Sequence, residues 1–119
     1  MGLFDRLRQR STSPSGAVVE SPTHPGCIAI NEAPLGRIVR IAGDIASVIL
    51  RPETTVPALE AEIDDGSSRM RVVWLGRNSI RGIEPGRGII VEGRVVERDD
   101  MRFMHNPKYE LLPRPGAHE

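Results

Sequence analysis

The sequence predicts an all-β fold of five short strands, and three observations support this prediction. Between residues 35 and 112, most apolar residues recur at every second position, which is the spacing of a strand with one buried face. The 119 residues include 12 Gly and 10 Pro, a composition typical of tight turns. The length is that of a single domain, so we expect one small core.

The first strand is expected over residues 36–50, a stretch rich in β-branched side chains. Ile41 and Ile45 would lie on its buried side. Gly43 stands in the middle of this strand, where glycine weakens the pairing. We therefore expect a bulge or a sharp bend at Gly43.

The second and third strands, residues 58–64 and 69–75, form a predicted hairpin around the turn Asp65-Gly66. Their outward rows have opposite charges, so cross-strand pairs should set the register. The predicted inward side chains are Leu59, Ala61, Ile63, Met70, Val72 and Trp74, and the charged outward ones are Glu60, Glu62, Asp64, Arg69 and Arg71.

The period changes between the third and fourth strands. Ile80 and Ile83 are three residues apart, which predicts a short helix whose apolar side packs on one end of the sheet. The fourth strand is expected over residues 88–98 and the fifth over residues 101–112. Pro107 cannot donate to a strand ladder, so it should interrupt the fifth strand.

Two tails flank the predicted domain, which covers residues 35–112. Residues 1–34 contain runs of Ser, Thr, Pro and Gly with too little apolar surface to offset the entropy of ordering, which predicts a disordered tail. Its first ten residues form a short amphipathic stretch, with Leu3, Phe4 and Leu7 against Arg6, Arg8 and Arg10, so they are either a docking peptide for a protein partner or a frayed terminus. Residues 113–119 form the C-terminal tail.

Five strands, a long bent first strand and a helix between the third and fourth strands are the element order of the OB-fold, a five-stranded barrel. Closure of a small sheet on itself removes most of its exposed edges. The alternative all-β fold of this size, an SH3-like barrel, normally has no helix at that place.

Four short motifs point to a known family. They are Asp65-Gly66, Val73-Trp74-Leu75, Pro85-Gly86-Arg87 and Asn106-Pro107-Lys108-Tyr109-Glu110. In this order and spacing, residues 64–112 resemble a family of small bacterial OB-fold nucleic-acid-binding proteins and, more distantly, the wedge domain of the branch-migrating RecG helicase. With the first strand, the resemblance covers residues 35–112. It implies an OB-fold and a role in binding nucleic acid.

Enzyme chemistry is not indicated. The sequence has no phosphate-binding glycine loop and no nucleophile elbow. His24 and Cys27 would need further ligands to hold zinc, and Cys27 is the only cysteine. No apolar run reaches the roughly 20 residues of a membrane span, and no signal peptide is visible. We expect a cytoplasmic protein with no catalytic residue, cofactor, metal or membrane partner.

OB barrels bind single strands on the face of strands two and three, with aromatic rings for the bases and cations for the phosphates. The sequence predicts such a site for single-stranded DNA or RNA with little sequence preference, in line with DNA repair or recombination. Trp74 and Tyr109 also fit core positions. The 16 basic and 16 acidic residues cancel, and this neutrality, with the acidic second strand, fits an alternative function as a protein-interaction adaptor. The predicted nucleic-acid-binding residues are Arg69, Arg71, Trp74, Arg77, Arg81, Arg94, Arg102, Phe103, Lys108 and Tyr109.

Overall fold

The computed structural model describes residues 24–51 and 55–113. Within these ranges the chain forms one 3₁₀ helix, Ile30–Glu32, followed by six strands. No helix in the same ranges is long and apolar enough to cross a membrane. The strands are β1 (Ile38–Arg51), β2 (Ala58–Asp64), β3 (Arg69–Leu75), β4 (Gly88–Arg98), β5 (Met101–His105) and β6 (Lys108–Leu111).

Five strands close into a ring in the order β1-β2-β3-β5-β4, with β4 pairing back to β1. β3 and β5 are parallel, and the other neighbours are antiparallel. β1 closes the ring because it is long: Ile38–Asp44 pairs with β4, and Asp44–Arg51 pairs with β2. β6 adds a short sixth strand beside β4. The predicted all-β fold of five strands is thereby confirmed, and Pro107 separates β5 from β6 as expected.

Gly43 lies where β1 passes from β4 to β2. A Cβ atom at this position would stand 2.7 Å from Ile63 Cγ2 and 2.9 Å from the carbonyl oxygen of Asp64. Glycine is therefore required by close packing between β1 and β2. The irregularity in the β1–β2 register falls a little later than predicted, between Ile45 and Ser47.

The inner face of the ring holds the core. The inward sets predicted for β2 and β3 are all buried, and β1 and β4 contribute Ile41, Ile45 and Val91. Trp74 is 5% exposed, and its Nε1 donates a hydrogen bond to the Pro107 carbonyl at 3.2 Å. Trp74 is therefore a core residue with a satisfied polar atom.

The predicted helix between β3 and β4 does not form. Ile80 and Ile83 enter the core as expected, but the Ile83 amide donates to the Ile80 carbonyl in a single turn. Gly82 has a φ of 87°, a left-handed conformation that a continuing right-handed helix excludes. Burial of two isoleucines three residues apart thus needs only a turn.

Part of the predicted N-terminal tail belongs to the folded domain. The 3₁₀ helix places Ile30 and Ala33 in the core, and the Ile30 amide donates to Asp65 Oδ2 at 2.8 Å. Cys27 forms an isolated bridge with Arg40 of β1. Residues 27–33, which the prediction assigned to the tail, therefore contribute to the core. The predictions for residues 1–23 and 114–119 lie outside the described residues.

Candidate functional site

The outer face of the ring presents a row of side chains at the same height on five strands. Backbone pairing joins Ser47 to Glu62, Glu62 to Arg71, and Arg71 to Phe103. Phe103 in turn pairs with Val96 of β4. The row therefore changes from acidic on β2 to basic on β3 and to apolar on β5 and β4.

Phe103 stands at the centre of a group of outward side chains that we call the Phe103 cluster: Phe103, His105, Arg71 and Arg98. Met104 is fully buried, so its neighbours on β5, Phe103 and His105, point outward. Their rings are nearly parallel, with an angle of 13° and centroids 6.1 Å apart. The guanidinium carbons of Arg71 and Arg98 lie 6.0 and 5.6 Å from the Phe103 centroid, within the range of a cation–π contact.

The two arginines of the cluster keep their charge free for a ligand. Within residues 24–51 and 55–113, no carboxylate oxygen lies within 4.0 Å of a guanidinium nitrogen of Arg71 or Arg98. Arg98 is exposed and Arg71 is half-buried. Two guanidinium groups with no carboxylate of the described residues in direct contact, beside a partly exposed ring, can bind a planar anionic ligand.

The outer row of β2 has the opposite character, because its acids are already paired. Glu60 accepts a hydrogen bond from Arg51 Nη2 at 3.3 Å. Arg69 lies between two acids, with Nε 3.0 Å from Asp64 Oδ2 and Nη1 3.8 Å from Glu62 Oε2. The predicted pairing of an acidic row with a basic row is therefore present at Arg69. The charge of Arg69 is largely compensated by the carboxylates of Asp64 and Glu62.

Two of the predicted site residues point away from the outer face: Trp74 is buried, and Arg102 is half-buried. Trp74 is a core residue, as described above. Arg102 alternates with Phe103 and turns toward the 3₁₀ helix, where its Nη2 donates to the Ala33 carbonyl at 3.4 Å. Its Nε is buried and has no hydrogen-bond partner among the residues that the structure describes. Both residues are therefore removed from the candidate site, because neither side chain presents itself to the outer face.

The remaining predicted residues are spread over other surfaces. Arg77 and Arg81 lie in the exposed loop between β3 and β4, and Lys108 and Tyr109 lie on β6. The Tyr109 ring meets Trp74 edge-on, with centroids 5.7 Å apart, and remains partly exposed. On the outer face of the ring, the structure brings together Arg71 and Phe103, with Arg69 next to them on β3 and Arg94 on the outer side of β4.

Arg98 and His105 belong to the cluster but were not predicted. His105 has a visible signal, since it follows Phe103 at the two-residue period of a strand. Arg98 has none, because its approach to Phe103 depends on the β4–β5 register, in which Arg98 pairs with Met101. The cross-strand neighbour of a charged residue at the end of a strand can be identified only when the register of the strands is known.

A separate cavity of about 600 Å³ lies beside Gly43 and is acidic. It is lined by His24 and by the carboxylates of Asp44, Asp64 and Asp65. Across the ranges that the structure describes, no group of three or more His, Cys, Asp or Glu side chains could hold a metal ion. Carboxylates repel phosphates, so this cavity is a poor alternative to the Phe103 cluster for an anionic ligand.

Comparisons with known proteins support the fold. No family model and no curated protein matches the chain. The structure of RecG bound to a three-way DNA junction is similar, with a TM-score of 0.58 and 22% identity over 73% of this chain and 12% of that chain. The solution structure of the OB domain of Ta0387 from Thermoplasma acidophilum has a TM-score of 0.56 and 15% identity, over 76% of this chain and 90% of that one. The chain thus spans a small part of RecG, and the predicted resemblance to the OB-fold and, distantly, to RecG is confirmed.

Proposed function

We propose that this protein is a nucleic-acid-binding module that holds single-stranded DNA or RNA, with little sequence preference, at the Phe103 cluster. The observation that carries this proposal is the outward Phe103 ring with Arg71 and Arg98 beside it and no carboxylate within reach of either guanidinium in the described part of the chain. Every base has a planar face, so stacking on an aromatic ring tolerates any sequence.

The chemistry of the cluster fits a weak, charge-assisted site. A guanidinium group can pair with a phosphate and can also stack on a base, so each arginine can contribute in two ways. Only Phe103 and His105 offer outward rings in the cluster, and the chain as a whole is neutral. Affinity should therefore come mainly from local cations and should fall steeply with salt.

The fold supports the same class of ligand. OB-folds bind oligonucleotides around the face of strands two and three, and RecG, which is similar in fold, was solved bound to a DNA junction. In this chain the acids of β2 occupy part of that face, so the proposed site lies on β3, β5 and β4. A role in DNA repair or recombination is part of this proposal.

Fluorescence anisotropy with labelled single strands tests the proposal. At low salt, a DNA or RNA strand of about 12 nucleotides should bind with a Kd of about 1–100 μM, the range of non-specific contacts. Unlabelled single strand should compete better than the matching duplex. Absence of binding at about 100 μM, or binding that does not weaken with salt, would overturn the proposal.

A protein-interaction adaptor is the second candidate, and one observation favours it. Val56 and Leu75 are both exposed at the end of the ring where β2 begins and β3 ends, and Val56 lies beside Gly76, the residue after Leu75. An adaptor predicts a pull-down that Leu75→Ser weakens and Phe103→Leu leaves intact. Deletion of residues 1–23, which leaves the 3₁₀ helix in place, would then tell whether the N-terminal segment takes part.

A further inference from the structure

Three exposed apolar side chains lie beside the Phe103 cluster on the next strands of the ring. Leu35, Ile38 and Val96 are 48%, 60% and 38% exposed, and we call them the apolar strip. Val96 pairs directly with Phe103 through the β4–β5 register. The strip therefore continues the apolar centre of the cluster toward the start of β1.

Backbone pairing holds the strip together. Ile38 pairs with Arg94, which places Ile38 diagonally across from Val96 at a distance that side chains can bridge. Leu35 precedes Gly36, whose amide donates to the Val95 carbonyl at 2.7 Å. Ile38 and Val96 are thus neighbours over the β1–β4 junction, and Leu35 lies one residue before the backbone bond that joins the chain to β4.

A further arginine, Arg94, borders the strip. Arg94 is exposed, and its Nη1 donates to the Gly36 carbonyl at 2.6 Å, which fixes the guanidinium beside the strip. Glu97 follows Val96 on β4 but alternates with it, so it points to the other side of the strand. On the side of Val96, the nearest acids are Glu92, paired with Arg40 at 3.2 Å, and those of the β4–β5 turn. Between Glu92 and the β4–β5 turn, this side of β4 therefore presents cations and apolar side chains, a combination that is complementary to phosphates and bases.

We propose that a single strand bound at Phe103 continues across β4 onto the apolar strip, where bases pack on Ile38 and Val96 and a phosphate meets Arg94. This inference rests on the proposed function and adds the direction of the ligand. The path runs away from the acidic β2 and lengthens the site by two inter-strand spacings, roughly 10 Å. The nucleic acid is chosen as the occupant because the strip is continuous with the cluster and shares its positive charge.

The double variant Ile38→Ser/Val96→Thr tests the strip. Both positions are exposed, and threonine keeps the β-branched shape that suits a strand, so folding should be preserved. Ile49→Ser is the matched control, because Ile49 is an exposed isoleucine on the same strand, β1, but lies opposite Glu60 on the β2 side. Thermal unfolding of all variants checks that the fold is intact.

Two oligonucleotide lengths separate the strip from the cluster. For a strand of about 12 nucleotides, the double variant should weaken binding about fivefold to tenfold. For one of about four nucleotides, which the cluster can hold alone, it should change the Kd by less than about twofold. Ile49→Ser should leave both values unchanged, and Phe103→Leu should weaken both.

The alternatives give different results. If Phe103→Leu weakens binding and the double variant leaves the long strand unaffected, the strip proposal is overturned and the proposed function stands. If wild-type protein binds neither strand, both are overturned. If sedimentation shows self-association that the double variant abolishes while strand binding is unchanged, the strip is a contact between copies, and the proposal is again overturned.

Discussion

The outer row of β2 and the Phe103 cluster lie side by side on one face of the ring, but in the described part of the chain the charged side chains of the first are ion-paired and those of the second are not. On β2, Glu60 and Asp64 each have an arginine nitrogen within 3.3 Å. In the cluster, Arg71 and Arg98 face a phenyl ring instead of a carboxylate. The acids of β2 are held in ion pairs within the protein. The arginines of the Phe103 cluster have no carboxylate in direct contact, within the ranges that the structure describes, and can therefore contact a ligand.

This difference shows why net charge is a poor guide to binding in this protein. The 16 basic and 16 acidic residues sum to zero, yet the cancellation is local on β2 and incomplete on β3, β4 and β5. A ligand meets the local field, because charges further than about 8–10 Å are largely screened at physiological salt. Substitutions in the Phe103 cluster and on β2 test whether the two regions differ in charge compensation.

The largest effect is expected from charge reversal in the cluster. The double variant Arg71→Glu/Arg98→Glu should weaken single-strand binding about 100-fold, because each reversed charge removes one charge-assisted interaction with the ligand, worth about a factor of ten. The control is Arg77→Glu/Arg81→Glu, which changes the net charge equally in the loop between β3 and β4. Anisotropy should show less than about a threefold weakening for the control, and equal effects of the two double variants would mean that only net charge matters.

The next effect concerns the aromatic platform. Phe103→Leu should weaken binding about tenfold, because leucine keeps apolar bulk but has no planar face for a base. Trp74→Phe is the contrasting change: it removes the hydrogen bond to the Pro107 carbonyl and should cost about 1 kcal/mol of unfolding free energy, with binding unchanged. Chemical denaturation and anisotropy measure the two quantities. A reversed pattern would identify Trp74 as the stacking residue.

A smaller effect, with the opposite sign, is expected on β2. Glu60→Gln/Glu62→Gln removes two negative charges beside the cluster and should strengthen binding about threefold at low salt, an effect that fades as salt rises. Glu84→Gln/Glu110→Gln, in the loop before β4 and on β6, is the control and should have little influence. If the β2 variant instead weakens binding, its carboxylates themselves contact the ligand.

The smallest effect is expected at Arg69. Asp64 and Glu62 already compensate its charge, so Arg69→Gln should change the Kd by less than about twofold. Arg71→Gln, two residues further along the same strand, should have a clearly larger effect. Equal effects of the two substitutions in anisotropy titrations would show that the ion pairs on β2 open when the ligand binds.

Local patterns were sufficient for the strands. The two-residue period predicted the bounds of β2, β3 and β4 and the inward direction of Trp74, because alternation within one strand needs no knowledge of its neighbours. The same principle failed at residues 80–83, where burial of two isoleucines is satisfied by a turn. The left-handed φ of Gly82 was not visible in the sequence.

Long-range contacts account for what the sequence did not reveal. Cys27, Ile30 and Ala33 recur every third residue and are all buried, but this short repeat does not reveal what it packs against: the Ile30 amide donates to Asp65, 35 residues away. The Phe103 cluster depends on the parallel pairing of β3 with β5 and on the register of β4, which bring Arg71 and Arg98 to one ring. Composition and period therefore predicted the supply of arginines but not which of them share a face.

The amide chemical shifts of the protein during titration with an oligothymidylate of about 12 nucleotides test most directly whether the ligand lies on the Phe103 cluster. The largest changes should occur at Arg71, Arg98, Phe103 and His105, while Glu60 and Glu62 change little. Shifts that are largest on β2, or spread evenly over the ring, would contradict a site on β3, β5 and β4.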